Sequence, residues 1–257
     1  MYNVLIALGA GIAGFVLMSF LLGFGDFKPL YGLMPGMLIA AGAYIWLARR
    51  VMTTVQKIME EAQHHLQSAP QPTSPADIQK AQRSTEEAVE ILKRALPYNK
   101  WQFLVESQVN GQIGQIYYMT KKFELAEPYL KGSFNRNWIA QTMLACLYYQ
   151  RKEWAVMVET FEVAAKYSPK EALMWNIYAW CLWKTDKDDD AIAVLTRALE
   201  HVGTDEQTRE NRTALQNKKN MKMRGWNLMW YQFHLDAPPQ PKPGQQQPVP
   251  QINFRRR

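Results

Sequence analysis

From Met1 to Gly25 the chain carries no charged side chain, and Val4 to Leu22 is apolar apart from Ser19. Asp26 and Lys28 interrupt, and Leu30 to Ala48 is again free of charge. About twenty apolar residues span the hydrocarbon core of a bilayer as a helix. The two runs therefore predict transmembrane helices over about 4–24 and 30–48, within a membrane region of residues 1–50. Tyr2, Phe24, Phe27 and Tyr31 are placed as interfacial aromatics, and the link around Gly25 to Pro29 is short enough only for a tight hairpin. A cleaved signal peptide would need a basic leader and a shorter apolar core. A buried soluble hairpin is the other reading. Arg49, Arg50 and Lys57 follow the second run directly, whereas the hairpin has one acid and one base. Positive flanks stay on the cytoplasmic side, so both termini are expected there, at a membrane such as the bacterial inner membrane.

The glycines of the first run spell a misleading word. Gly9, Gly11 and Gly14 match G-x-G-x-x-G after an apolar stretch. A dinucleotide site needs that motif between a strand and an amphipathic helix, with a second strand ending in an acid. Phe15 to Phe24 is apolar on every face, and no such strand follows. In lipid the small residues have another use, because they let helix backbones approach closely. Gly9 with Ala13, Ala10 with Gly14, and Gly32, Gly36 and Ala40 form such ladders. Pro35 is expected in the first turn of the second span, where its missing N–H costs little.

Residues 51–74 read as a helical extension, Val51 to Leu66, followed by a short linker broken by Pro70 and Pro72. Ser74, Pro75 and Asp77 then mark a helix start. His64 and His65 are adjacent and point apart, and His201 and His234 lack ligand neighbours, so no metal is expected. Asp186, Asp188 and Asp190 alternate as in a calcium loop, but Ala191 and Arg197 stand where Gly and Glu are required. No nucleophile elbow, phosphate loop or carboxylate pair appears, so neither an enzyme nor a cofactor is expected. Cys146 and Cys181 suit buried structural thiols better than a disulfide framework.

Residues 75–205 carry a repeated small–large pattern. Ala145, Tyr148, Met157, Phe161 and Ala164 recur as Ala179, Leu182, Ala191, Leu195 and Ala198, with turns near Lys184 and one repeat earlier. Gly114, Tyr117, Ala126, Leu130 and Ser133 form an earlier, slightly shorter unit with a turn at Thr120 to Phe123. Ala88, Leu92 and Ala95 fit the second helix of a more degenerate one. The period is about 34 residues. On these residues the segment resembles the tetratricopeptide repeats, with Met157 in a usual alanine slot and no consensus tryptophan in the earliest unit as departures. The resemblance implies stacked helix pairs and a protein-binding groove lined by the first helix of each pair. Gln108, Gln115, Tyr118, Thr142, Tyr149, Asn176, Trp180 and Trp183 are expected to face it. Such a lining, aromatic and amide-rich, suits extended, partly apolar protein segments.

Residues 206–236 read as a polar capping helix followed by a basic-aromatic segment. Lys218, Lys219, Lys222 and Arg224 run into Trp226, Leu228, Met229, Trp230, Tyr231 and Phe233, which either touch anionic lipid or pack on the last repeat. Residues 237–257 read as a disordered, basic Pro/Gln-rich tail. The net charge of +7 persists without the hairpin. With no nucleic-acid-binding motif in view, anionic lipid beside an anchor explains that charge more simply than nucleic acid. The expected fold is all-α. The expected function is a membrane-anchored scaffold that holds a protein partner, with a fixed subunit of a larger membrane complex (secretion, motility or energy transduction) as the alternative.

Overall fold

The structure, a computed structural model, describes residues 1–68 and 75–237. Pro70, Pro72 and the Ser74 cap lie outside the described residues, as does the Pro/Gln-rich tail beyond Ala237. The described residues are helical throughout, with eleven α-helices and no strand. They fall into two compact units, Met1–Val109 and Asn110–Arg257.

The first unit begins with an antiparallel pair, α1 (Tyr2–Leu21) and α2 (Pro29–Gln67). Both are long and apolar enough to cross a membrane. Their apolar windows are only 22% and 11% buried, which is unlike a core helix of a soluble protein. Asn3, Ala7, Gly11, Gly14 and Ser19 of α1 are buried, as are Gly32 and Gly36 of α2. A Cβ on Gly36 would stand 2.7 Å from the Phe15 Cβ, and one on Gly11 2.6 Å from the Ala40 Cβ. Gly32, Gly36 and Ala40 therefore lie on the face of α2 that meets α1. On α1 the two ladders part: Gly14 of the Ala10–Gly14 pair is buried against Ile39, while the other faces away from α2. Gly9 and Ala13 face outward, and Gly9 has open space around it. A four-residue ladder can be drawn on several faces of a helix this rich in glycine and alanine, and the antiparallel partner selects one. At the hairpin turn Gly25 adopts φ 95°, a conformation open to glycine at little steric cost. Pro35 also departs from expectation: α2 starts at Pro29, so Pro35 lies inside it and removes the bond to the Tyr31 carbonyl.

α2 continues well past the apolar run, about 58 Å in all at 1.5 Å per residue. Its distal part is no free extension. Val51, Val55 and Ala62 are buried, and α3 (Pro75–Lys93) packs along it with Ala88, Val89 and Leu92 inward. His65 pairs with Glu87 at 2.5 Å, and Ser84 donates to the His65 carbonyl at 3.0 Å. The degenerate first helix pair therefore draws its first helix from α2 itself. A short 3₁₀ turn, Leu96–Lys100, leads on to α4 (Val105–Met119).

In the second unit three helix pairs follow one another: the end of α4 with α5 (Phe123–Lys131), α6 (Trp138–Gln150) with α7 (Trp154–Tyr167), and α8 (Ala172–Trp183) with α9 (Asp188–Val202). The turns within the pairs are the same turn three times. Lys121, Lys152 and Asp186 adopt φ 58°, 63° and 59°. At each turn two amides reach back in a Schellman motif: Lys121 to Tyr118 and Lys122 to Tyr117, Lys152 to Tyr149 and Glu153 to Tyr148, Asp186 to Trp183 and Lys187 to Leu182. The small–large slots are filled as the spacing requires. Ala126, Leu130, Ala145, Phe161, Ala164, Ala179, Ala191, Leu195 and Ala198 are all fully buried. At Gly114 a Cβ would meet the Leu130 backbone nitrogen at 2.9 Å, so a glycine is required there. Asp188 and Asp190 lie in the first turn of α9, where the helix dipole favours them. Cys146 and Cys181 are free and buried.

Candidate functional site: the first-helix surface of the array

The polar helix α10 (Glu206–Gln216) closes the series. Asp205 caps it by accepting from the Thr208 amide at 2.8 Å. Its buried residues, Thr208, Asn211 and Leu215, are spaced three and four apart and form one stripe. That stripe docks on α8 through amides. Asn176 donates to the Thr208 hydroxyl at 2.7 Å, and Asn211 donates to Asn176 Oδ1 at 2.8 Å. The Lys222 amide donates to Asn211 Oδ1 at 2.7 Å, and Gln207 donates to the Lys222 carbonyl at 2.9 Å. These bonds hold the chain as it leaves α10.

From there the chain turns back across the first helices. Met221, Met223, Trp230 and Phe233 are buried in the same core as α6 and α8. The Trp230 ring meets Trp180 edge-on at 5.2 Å. Tyr118 donates its hydroxyl to the Phe233 carbonyl at 2.6 Å, and its ring stacks on His234 at 5.6 Å. The His234 ring nitrogen lies 3.2 Å from the Met119 carbonyl. Residues 221–235 thus run from α10 past α8 to α4, opposite to the order of the helix pairs. One-turn helix α11 (Leu228–Tyr231) and the 3₁₀ turn Arg224–Trp226 are its only regular pieces.

The residues expected to line a groove do not stand open. Tyr118, Thr142, Asn176, Trp180 and Gln115 are buried, and Tyr149 and Trp183 are half-buried. Tyr118 and Trp180 grip the chain's own C-terminal segment. Tyr149 stands between the Trp154 and Trp180 rings, at 5.6 and 5.8 Å. Trp183 takes the Lys184 ammonium over its face at 4.3 Å. Asn176 serves the α10 network, and Gln115 donates to Asn137, the cap of α6, at 3.3 Å. Thr142 is packed with no partner for its hydroxyl among the described residues. Gln108 is half-buried and belongs to the first unit. The physical reason for closure is tethering. A linked aromatic segment is present at an effective concentration of millimolar order, above that of most free ligands.

The same geometry bears on the basic-aromatic segment, for which lipid contact and packing on the last repeat were both open. Trp230 is buried and Trp226 half-buried against the core, so neither ring is free for a bilayer. Lys218, Lys219, Lys222 and Arg224 remain exposed. Electrostatics on this surface favour neutral groups. Burial raises the Tyr118 phenol well above its ordinary value, and raises Tyr149 to about 12. Burial also lowers His234. Outside the surface, Glu127 of α5 accepts from Lys131 at 2.7 Å and from Arg151 at 2.5 Å, and both bonds hold its carboxyl below the usual range. Glu162 of α7 similarly accepts from Tyr178 at 2.9 Å and Arg197 at 2.6 Å. These bonds link each pair to the next.

Sequence reasoning missed Asn211, Thr208, Met223 and His234. The signal for the first two was present as the three–four spacing within α10, hidden by the high charge of its neighbours. Gly9, Gly11 and Gly14 all lie inside α1, so no phosphate-binding turn forms there. Comparison with protein-family models, with curated proteins and with solved structures finds no match to this chain.

Proposed function

We propose that the protein is a membrane-anchored scaffold whose tetratricopeptide-like array holds a protein partner at the cytoplasmic face of a membrane, the bacterial inner membrane in the simplest reading. The observation that carries this is the grip of the first helices on residues 221–235. A surface that closes over Trp230 and Phe233 of its own chain has the chemistry to take an extended aromatic segment from another. The positive flank Arg49–Arg50 supports the orientation, with both termini on the cytoplasmic side. A partner competes with the internal segment, and its apparent affinity falls by the fraction of time the surface is open.

Crosslinking in native membranes, followed by mass spectrometry, tests the reading. Trp180→Ala with Tyr149→Ala should lose the crosslinked partner while the protein stays in the membrane, and Phe233→Ala should increase its capture. Equal recovery from all three would refute the assignment of the surface. A second reading, a fixed subunit of a larger membrane complex, has its own support. Gly9 and Gly42 have open space around them on the outside of the hairpin, where a neighbouring helix can approach. Migration of the protein alone in mild detergent would favour the scaffold over the subunit.

A further inference from the structure

The register of the hairpin places one loop of the first unit at the edge of its apolar belt. Gly11 meets Ala40, Phe15 meets Gly36 and Ser19 meets Gly32. The same register brings Asn3 level with Ala48 and Tyr2 level with Arg49. The turn before α4 comes back to this level. Asn3 donates to Gln102 Oε1, and Gln102 donates to the Tyr44 hydroxyl, both at 3.4 Å. The Trp101 ring meets Tyr2 edge-on at 5.2 Å. Asn3 is the one amide in a helix otherwise without strongly polar side chains, and an unmet amide in an apolar medium is costly. Its bond to Gln102 serves the amide nitrogen, the oxygen having no partner among the described residues, and ties the loop to the hairpin.

The side chains on either side of Gln102 are each partly exposed. Trp101 is 39% exposed and Phe103 47% exposed, and Trp46 close by in sequence to the basic pair is 62% exposed. Leu104 adopts φ 70°, an uncommon conformation for a bulky residue, at the point where the loop turns into α4. Arg50 lies over the Trp46 ring at 5.8 Å, and Arg49, Arg50 and Lys100 are exposed. Aromatic rings beside cations, at the end of an apolar belt, are the composition of a bilayer interface: the rings sit among the glycerol and carbonyl groups, and the cations meet anionic headgroups.

We infer that the turn Trp101–Gln102–Phe103 is a second membrane contact, an interfacial loop that inserts its two rings into the headgroup layer beside the Arg49–Arg50 end of the hairpin. The occupant of the exposed patch is the lipid surface, because Trp101 packs on Tyr2 at the end of the apolar run of α1, level with the basic pair of α2. Its consequence is mechanical. The chain entering α4 is held at the membrane plane at a point far in sequence from the spans. This inference rests on α1 and α2 crossing the membrane.

The test uses the full chain in vesicles of phosphatidylcholine and phosphatidylglycerol, with a phospholipid carrying a diazirine near the glycerol end of one acyl chain. After illumination, labelled peptides are mapped by mass spectrometry. Label is expected on α1, on α2 and on the peptide containing Trp101 and Phe103, with none on α7. In the double variant Trp101→Ser, Phe103→Ser the hairpin label should persist and the loop label should be lost. A labelled hairpin with an unlabelled wild-type loop overturns the inference alone, as does an equally labelled loop in the double variant. An unlabelled hairpin overturns the membrane reading and this inference with it.

Discussion

Replacing Trp230 with alanine discriminates between a segment that completes the array and one that merely lies near it. The ring is fully buried and meets Trp180 edge-on at 5.2 Å. Truncating a buried tryptophan costs about 3–5 kcal/mol through lost transfer energy and the cavity left behind. One term opposes this. The Trp230 indole N–H is buried without a partner among the described residues, and its removal returns roughly 1 kcal/mol of desolvation. The net loss is about 2–4 kcal/mol. At roughly 2–4 °C per kcal/mol for a domain of this size, the melting temperature should fall by about 4–16 °C. Thermal scans by near-ultraviolet circular dichroism on the full protein in detergent measure it directly. Neutralising Lys218, Lys219 and Lys222 together, all exposed, should move the transition by less than about 2 °C. If Trp230→Ala leaves the melting temperature unchanged, residues 221–235 do not fill the first-helix surface, and the closure of that surface by the chain's own segment falls with them.

Tyr118→Phe keeps the ring and deletes the hydroxyl that serves the Phe233 carbonyl, so it should cost about 1–3 kcal/mol and speed amide exchange in 228–235 more than in α9. Gly36→Leu should separate α1 from α2, because a Cβ alone already stands 2.7 Å from Phe15; a crosslink engineered between residues 11 and 40 would then fail to form. His234 titrates below its ordinary value because burial disfavours its charged form. A group depressed in this way leaves stability untouched above the unfolded value, about 6.5, and subtracts from it as pH falls below that. Proteolysis near His234 should therefore be faster at pH 5 than at pH 7.5, and His234→Phe should reduce that difference; an unchanged difference would remove His234 as its source.

Much of the fold was legible from spacing. The αα turns at Lys121 and Asp186 fall where the small–large pattern required them, because a helix pair can interlock only if its turn leaves those residues facing one another. The helical character of the hairpin was legible for a similar reason, since uncharged runs of that length leave few other choices. The packing face of α1 was not. Gly9–Ala13 and Gly11–Phe15 are equally spaced in sequence, and only the partner helix distinguishes them. The first pair was half legible: α3 showed Ala88 and Leu92, with Ala95 just past its end, while its mate was concealed inside an apparent extension of the membrane segment.

The sequence by itself determined the helical class, the two apolar helices at the start and the periodic pairs that follow, because each is a local consequence of residue type at a fixed period. Whether the surface of the first helices stands open was decided only by tertiary structure. Trp226, Trp230 and Phe233 have the same composition whether they meet lipid, a partner or their own array. The choice depended on two contacts far apart in sequence, Trp180 with Trp230 and Tyr118 with Phe233, and on the amides of Asn176 and Asn211 that turn the chain toward them. No local window contains those pairs, so no periodicity in the chain announces them.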